Sequence, residues 1–263
     1  MVNILSGNGM VINKIYNENC LETMAKMPDN FVDLTVTSPP YDNLRDYKGY
    51  CFPFEEIAKE LFRITKEGGV VVWVVGDATI NGSESGTSFR QALFFKECGF
   101  NLHDTMIYKK HSYIHQNCKR HQQEFEFMFV FSKGEIKTFN VILMPRLSKE
   151  KRLPKHRIGD KDYGKYVRVE PKEEKKIGNV WTYANTTNNT SHPAVFPEQL
   201  CADHIYSWSN EGDVVYDCFG GSGTTAKMAH LMKRNWILSE ISSEYCQIAE
   251  KRIAPYLAQI TLF

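Results

Sequence analysis

The apolar positions of this chain repeat with two periods that take turns. Residues 11–16 read as a strand, an amphipathic helix follows at 20–27, and Pro28-Asp29-Asn30 makes a turn into a second strand at 32–36. Phe54, Ile57, Ala58, Leu61 and Phe62 then recur at helical spacing, the face of a helix covering a sheet. Gly68-Gly69 is read as the end of that helix, and Val70–Val75 as an apolar strand buried on both faces. A helix is predicted over 87–98 with Phe89, Ala92, Leu93, Phe94 and Phe95 inward. Strands at 102–108 and 125–131 have no crossover helix between them and are expected to form an antiparallel edge. Apolar periodicity then stops over 132–178. It resumes with a helix opened by Pro197 and faced by Leu200, His204 and Trp208. A strand at 213–217, a helix at 224–233, a strand at 236–238 and a closing helix at 242–253 complete the pattern. Strands alternating with helices on both sides of an interruption predict one α/β doubly wound, mostly parallel sheet carrying an insertion.

The strand at 32–36 ends unusually, running through Thr37 into Ser38-Pro39-Pro40-Tyr41. Neither proline donates an amide, so sheet pairing stops there, and a residue before proline is held extended. The result is a stiff elbow with outward carbonyls beside an aromatic ring, suited to a planar ligand that carries an amino group. A second constellation lies at Tyr216-Asp217-Cys218-Phe219-Gly220-Gly221-Ser222-Gly223-Thr224-Thr225, glycines set between a strand and a helix where the backbone must turn sharply. Glu240 ends the next strand, where an acidic side chain accepts hydrogen bonds from a ribose diol. No Lys-Ser or Lys-Thr follows the last glycine, which argues against a phosphate-binding P-loop.

With 263 residues, 42% of them hydrophobic, the chain is long enough for one large core. Its longest purely apolar run, Val70–Val75, is far too short to span a bilayer, and no leader-like segment opens it. Seven cysteines without a C-x-x-C are read as reduced thiols, so a cytoplasmic protein without membrane contact is expected. The net charge of +1 hides an asymmetry: residues 144–176 carry 12 Lys or Arg against 6 Asp or Glu, the remainder 20 against 25. A basic block on a mildly acidic body is the footprint of a polyanion partner, or of a solvated insertion. His111, His115, Cys118 and His121 are too irregularly spaced to be read as a zinc set, and no metal is expected.

Phe219-Gly220-Gly221-Ser222-Gly223 resembles the F-x-G-x-G signature of S-adenosylmethionine-dependent methyltransferases. Ser38-Pro39-Pro40-Tyr41 resembles the catalytic motif of those that methylate exocyclic amines of DNA bases. The catalytic motif comes first and the glycines last, an order similar to the permuted beta group of DNA amino-methyltransferases, with a Rossmann-like methyltransferase fold. The resemblance implies a catalytic half at 1–131, a target-recognition insertion at 132–178, and a cofactor-binding half of the same domain at 179–263. It implies that Ser38, Pro39, Pro40 and Tyr41 hold a flipped base. Asn19-Cys20 stands where relatives have an Asp-Cys that contacts the cofactor's adenine, so an acceptor is kept and a charge lost. Phe219, Gly221 and Gly223 would shape the cofactor pocket, with Thr224 and Thr225 near its methionine end. Asp217 would orient the turn, Glu240 would hold the ribose, and His192-Pro193 would close over the cofactor.

By the same resemblance the partner is double-stranded DNA, contacted by Lys109, Lys110, Lys119, Arg120, Arg146, Arg152 and Arg157. Room is left for a homodimer and for a cognate restriction endonuclease, in a bacterial or phage-encoded protein. Ser38 resembles the form commonest in cytosine enzymes, where adenine enzymes more often have Asp, so N4 of cytosine is favoured over N6 of adenine. An RNA or protein-amide methyltransferase and a non-catalytic binding partner are the competing readings. The basic insertion speaks against a small amide, and the intact motifs speak against loss of catalysis.

Overall fold

The structure, a computed structural model, describes residues 10–40, 52–111, 119–146, 151–154, 166–169, 173–184 and 197–258. In chain order the first half holds β1 (Lys14–Tyr16), α1 (Cys20–Lys26), β2 (Val32–Thr37), α2 (Phe54–Ile64), β3 (Thr65–Val75), a small hairpin of β4 (Thr79–Ile80) and β5 (Ser83–Glu84), α3 (Thr87–Glu97), β6 (Asn101–Lys110) and β7 (Phe125–Ser132). The short strands β8 (Leu143–Pro145), β9 (Lys151–Pro154), β10 (Tyr166–Val169) and β11 (Glu174–Lys176) follow. The chain then forms β12 (Val180–Tyr183), α4 (Glu198–Trp208), β13 (Val214–Asp217), α5 (Thr224–Leu231), β14 (Asn235–Ser239) and α6 (Ser243–Leu257).

Among the described residues eight strands make the central sheet, in the order β1-β14-β13-β2-β3-β7-β6-β12. All neighbours run parallel except β7, which is antiparallel to both β3 and β6. The doubly wound, mostly parallel α/β sheet is therefore present. The β6–β7 pair is antiparallel as expected but is not the edge: β12, which carries no strand signal beyond Val180-Trp181-Thr182-Tyr183, adds outside β6 in parallel.

The continuous run Val70–Val75 is buried, and Trp73 at 0% exposure lies at the centre of an aromatic cluster with Phe54, Phe95 and Phe219. Each such side chain withdrawn from water contributes roughly 1.5–3 kcal/mol. Two further expectations need correcting. Gly68-Gly69 does not end the helix, because α2 already stops at Ile64. The glycines lie inside β3, where Gly68 takes φ +78° and the register to β2 shifts between Val32 and Leu34. A Cβ on Gly69 would stand 2.9 Å from the Asp33 carbonyl, so the bulge packs backbone on backbone.

On α3, Phe89 and Leu93 face outward at 53% and 59% exposure, while Ser88, Gln91, Ala92 and Phe95 are buried. The reason is polar: Gln91 Oε1 accepts a hydrogen bond from the buried Trp73 Nε1 at 2.8 Å, and Asp77 accepts from the Ser88 amide and hydroxyl. Those bonds rotate the helix away from the face its apolar residues suggest.

Residues 141–178 form a second compact unit, separate from the unit of 1–140 and 179–263. Within it β8 pairs with β11 and β9 with β10, both antiparallel.

Candidate functional site

β2 and β13 are neighbours in the sheet, with Leu34 opposite Val215 and Thr35 opposite Tyr216, so their carboxyl ends emerge side by side. β2 continues into Ser38-Pro39-Pro40 and β13 into the glycine turn. One side chain joins the two. The Asp217 carboxylate, 2% exposed, accepts from Thr37 Oγ1 at 2.7 Å and from the Phe219 amide at 3.0 Å on Oδ1, and from Thr225 Oγ1 at 2.7 Å on Oδ2. Burial pushes the Asp217 carboxyl above its usual value while these three bonds pull the other way. The Cys218 thiol adds a weak bond to Thr37 Oγ1 at 3.6 Å, and burial holds that thiol well above its usual range. Thr37 immediately precedes Ser38, so the elbow and the glycine turn are fixed to the same carboxylate.

The turn is held on its other side by Glu240. Gly221 N donates to Glu240 Oε2 and Ser242 N to Oε1, both at 2.8 Å. Burial raises the Glu240 carboxyl above its ordinary value despite these bonds, and Asp217 adds to the rise. Gly221 and Gly223 take φ +49° and +79°, and Gly223 caps the start of α5. Packing demands two of the glycines as strongly as any ligand does. A Cβ on Gly220 would lie 2.1 Å from Leu238 Cγ, and one on Gly223 would lie 2.8 Å from Ala249 Cβ.

The other expected cofactor residues that fall among the described ones lie around this turn. Asn19 caps α1, its Oδ1 accepting from Leu21 N at 2.9 Å. Cys20 is buried, its thiol pushed up to about 12 chiefly by burial, with a smaller rise from the Glu240 charge. Phe219 packs on Phe52 and Trp73 at 5.6 and 6.1 Å between ring centroids. Thr224 and Thr225 are buried, the first accepting from Arg252 and the second bonded to Asp217. Ile241, which the sequence reading passed over, is 57% exposed directly after Glu240. Its signal was an apolar residue following an acidic strand end.

Glu240 fits a nucleoside: each carboxylate oxygen takes one backbone donor and keeps acceptor capacity for a diol. Ile241 offers an exposed apolar surface beside it.

At the elbow Pro39 is buried, and Ser38 and Pro40 are half-buried. Tyr41, His192, Pro193 and Arg157 lie outside the described residues, and of Arg152 only the backbone, in β9, is described. Of the basic candidates in the larger unit, three are paired: Lys109 with Glu124 at 3.6 Å, Lys110 with Glu126 at 2.7 Å, and Arg120 with Glu84 at 3.1 Å and the Gly82 carbonyl at 2.9 Å. Lys119 is exposed, and Arg146 lies in the smaller unit, where its amide donates to the Glu173 carbonyl. Among the described residues no three His, Cys, Asp or Glu gather as a metal site, and no helix is long and apolar enough to cross a membrane.

Comparison with known proteins agrees with this geometry. The chain is 55% identical over 242 residues to the orphan methyltransferase M.BamHII of Bacillus amyloliquefaciens, covering 87% of this chain and 91% of that one. Among solved structures, the PvuII DNA methyltransferase (cytosine-N4-specific) superposes with a TM-score of 0.68 at 22% identity, covering 94% of this chain and 92% of its own. The M1.HpyAVI–SAM complex does so at 0.60 and 24%, covering 91% and 98%. The DNA methylase family matches residues 32–251. The chain belongs to this family of DNA amino-methyltransferases, enzymes that take their methyl group from S-adenosylmethionine.

Proposed function

We propose that the protein methylates the exocyclic amine of a base flipped out of duplex DNA, with N4 of cytosine favoured and N6 of adenine the alternative. The observation that carries this reading is the Asp217 carboxylate, which ties Thr37, the residue before the Ser38-Pro39-Pro40 elbow, to the amide of Phe219 in the glycine turn. An acceptor-rich elbow and a nucleoside-binding turn set by one buried group suit a reaction whose main demand is alignment.

An exocyclic amine is a weak nucleophile because its lone pair is delocalised into the ring. In this reading the Ser38 side chain and the Pro39 carbonyl accept its hydrogens, favouring a more tetrahedral nitrogen, while Tyr41 stacks on the base. The cofactor, when bound, supplies an electrophilic sulfonium methyl. Glu240 accepts from the ribose hydroxyls, Gly221 and Gly223 let the backbone lie close to the cofactor, and Ile241 covers its adenine. Extracting the base from the duplex costs on the order of a few kcal/mol, offset by stacking and by phosphate contacts. Lys119 and the lysines and arginines of residues 141–178, Arg146, Arg152 and Arg157 among them, are the cations assigned to those contacts, the smaller unit serving as the target-recognition region.

The preference for cytosine rests on Ser38 at the head of the motif. The similarity to a chain named an orphan methyltransferase favours DNA modification without a paired endonuclease, in a bacterial cytoplasm. The test is incubation of the protein with tritiated S-adenosylmethionine and, separately, duplex DNA, RNA and a protein extract. Label is expected in DNA, and label in RNA or protein alone would refute the reading.

A further inference from the structure

The glycine turn is gripped from a third side by a network that nothing in its motif announces. Arg252, on α6, directs Nη1 to the Ser222 hydroxyl at 2.8 Å, to Thr224 Oγ1 at 3.0 Å and to the Ser222 carbonyl at 3.2 Å. These residues flank Gly223, whose left-handed φ starts α5. The other arm of the fork, Nη2, pairs with Glu198 Oε1 at 2.5 Å, and the same oxygen accepts from Lys227 Nζ of α5 at 2.7 Å.

Arg252 and Lys227 are 17% and 12% exposed at the side chain and Glu198 40%, so the charges of the fork and the lysine are largely out of water. Burial works to raise the Glu198 carboxyl, but the bonds from Lys227 and Arg252 outweigh it and leave the group below its usual value, ionised at neutral pH. Glu198 opens α4, so the network joins the first turns of α4 and α5 to α6.

We propose that Arg252, oriented by Glu198 and Lys227, is a positioning residue for S-adenosylmethionine: it holds Ser222 and Thr224 so that the turn presents itself to the cofactor already formed. This rests on the turn being the cofactor site. Asp217 fixes the turn at Phe219 N, Glu240 fixes it at Gly221 N, and Arg252 fixes its exit into α5. A planar fork is needed because it must reach the turn with one arm and a carboxylate with the other, which a lysine ammonium in its place cannot do. The residue acts on the turn and not on the target base, so its effect falls on cofactor affinity and not on the transfer step.

The experiment measures the S-adenosylmethionine dissociation constant by isothermal titration calorimetry, with Tm and kcat at saturating cofactor and DNA, for Arg252→Met, Arg252→Lys and the milder Glu198→Gln. The control is Arg63→Met. Arg63 is another arginine clamp, bonded to the Met24 and Met27 carbonyls and to Glu60 and Asp29, at the amino-terminal side of β2.

Expected are a dissociation constant raised about tenfold for both Arg252 variants and severalfold for Glu198→Gln, with kcat within about threefold of wild type, while Arg63→Met lowers Tm and leaves affinity unchanged. Should Arg252→Met and Glu198→Gln keep wild-type affinity while losing stability as Arg63→Met does, the inference is overturned and the network is only structural. Full rescue by Arg252→Lys would overturn the role of the fork. Wild-type protein that bound no S-adenosylmethionine would overturn the cofactor site itself, a result distinguishable from the others because it needs no variant.

Discussion

Two threonines of β2, both fully buried and two residues apart on one face, should respond to the same substitution in opposite directions. Thr37 Oγ1 donates to the buried Asp217 carboxylate at 2.7 Å. Thr37→Val removes one of the three donors that charge has among the described residues, and a hydrogen bond to a buried charged group is worth roughly 1.5–3 kcal/mol. Among the described residues Thr35 Oγ1 has no hydrogen-bond partner although it is buried. Thr35→Val therefore replaces an unsatisfied hydroxyl with a methyl and should stabilise by about 1 kcal/mol. At about 2–4 °C per kcal/mol for a chain of this size, Thr37→Val lowers Tm by about 3–12 °C while Thr35→Val raises it by a few degrees. Calorimetric melting curves at neutral pH read both.

The same pair separates stability from function, since only Thr37 is bonded to the group that sets the glycine turn. S-adenosylmethionine affinity should fall severalfold for Thr37→Val and stay unchanged for Thr35→Val. If both variants shift Tm in the same direction by the same amount, or if Thr37→Val leaves Tm and affinity untouched, Asp217 does not couple the elbow to the turn.

Ser38→Ala should lower kcat about a hundredfold at saturating cofactor, the scale of losing one preorganised polar contact, with S-adenosylmethionine affinity unchanged; a matching loss of affinity would place Ser38 at the wrong ligand. Gly223→Ala combines a left-handed φ with a Cβ 2.8 Å from that of Ala249, whereas Gly212→Ala at φ +86° meets nothing within 4 Å. The first should therefore lower Tm clearly more than the second and weaken cofactor binding, and equal losses would count against the close packing of α5 on α6.

The Glu240 carboxyl titrates above its ordinary 4.5 because burial disfavours its charge. A ribose diol donates to the ionised form, so cofactor affinity should be full above the raised value and fall as pH drops through it. The free protein, by contrast, gains stability over that drop and loses it as pH rises again. Glu240→Gln should flatten both profiles, and a wild-type affinity independent of pH down to 4.5 would contradict the role given to Glu240.

Much of the central sheet was legible in the chain because its inner strands are buried on both faces and helices such as α2 are amphipathic. Val70–Val75 and the Ile57-Ala58-Leu61 face needed no tertiary information. What misled was local chemistry overridden by distant partners. Gly68-Gly69 has the look of a helix stop, yet it forms a bulge because β3 must pass close to Asp33. Phe89 and Leu93 look inward-facing, but the Gln91–Trp73 bond and the Asp77 cap set the rotation of α3. β12 is marked by no more than the four residues Val180-Trp181-Thr182-Tyr183, and its partner among the described residues, β6, lies about seventy residues away, so its place in the sheet is not written locally.

At the site, the motifs exposed Ser38, Asp217, the glycines and Glu240, because each stands at a strand end where the topology requires it. Arg252 and Glu198 escaped notice for the opposite reason: Arg252 comes from α6 and meets the turn only in three dimensions, and Glu198, from α4, meets Arg252 there.

The most direct test of the account is mass-spectrometric identification of the methylated nucleoside in duplex DNA treated with the protein and S-adenosylmethionine. N4-methyldeoxycytidine is the expected product. N6-methyldeoxyadenosine would keep the chemistry of the elbow and reverse the choice of base, whereas methylation at a ring carbon, or no methylated nucleoside at all, would contradict transfer to an exocyclic amine.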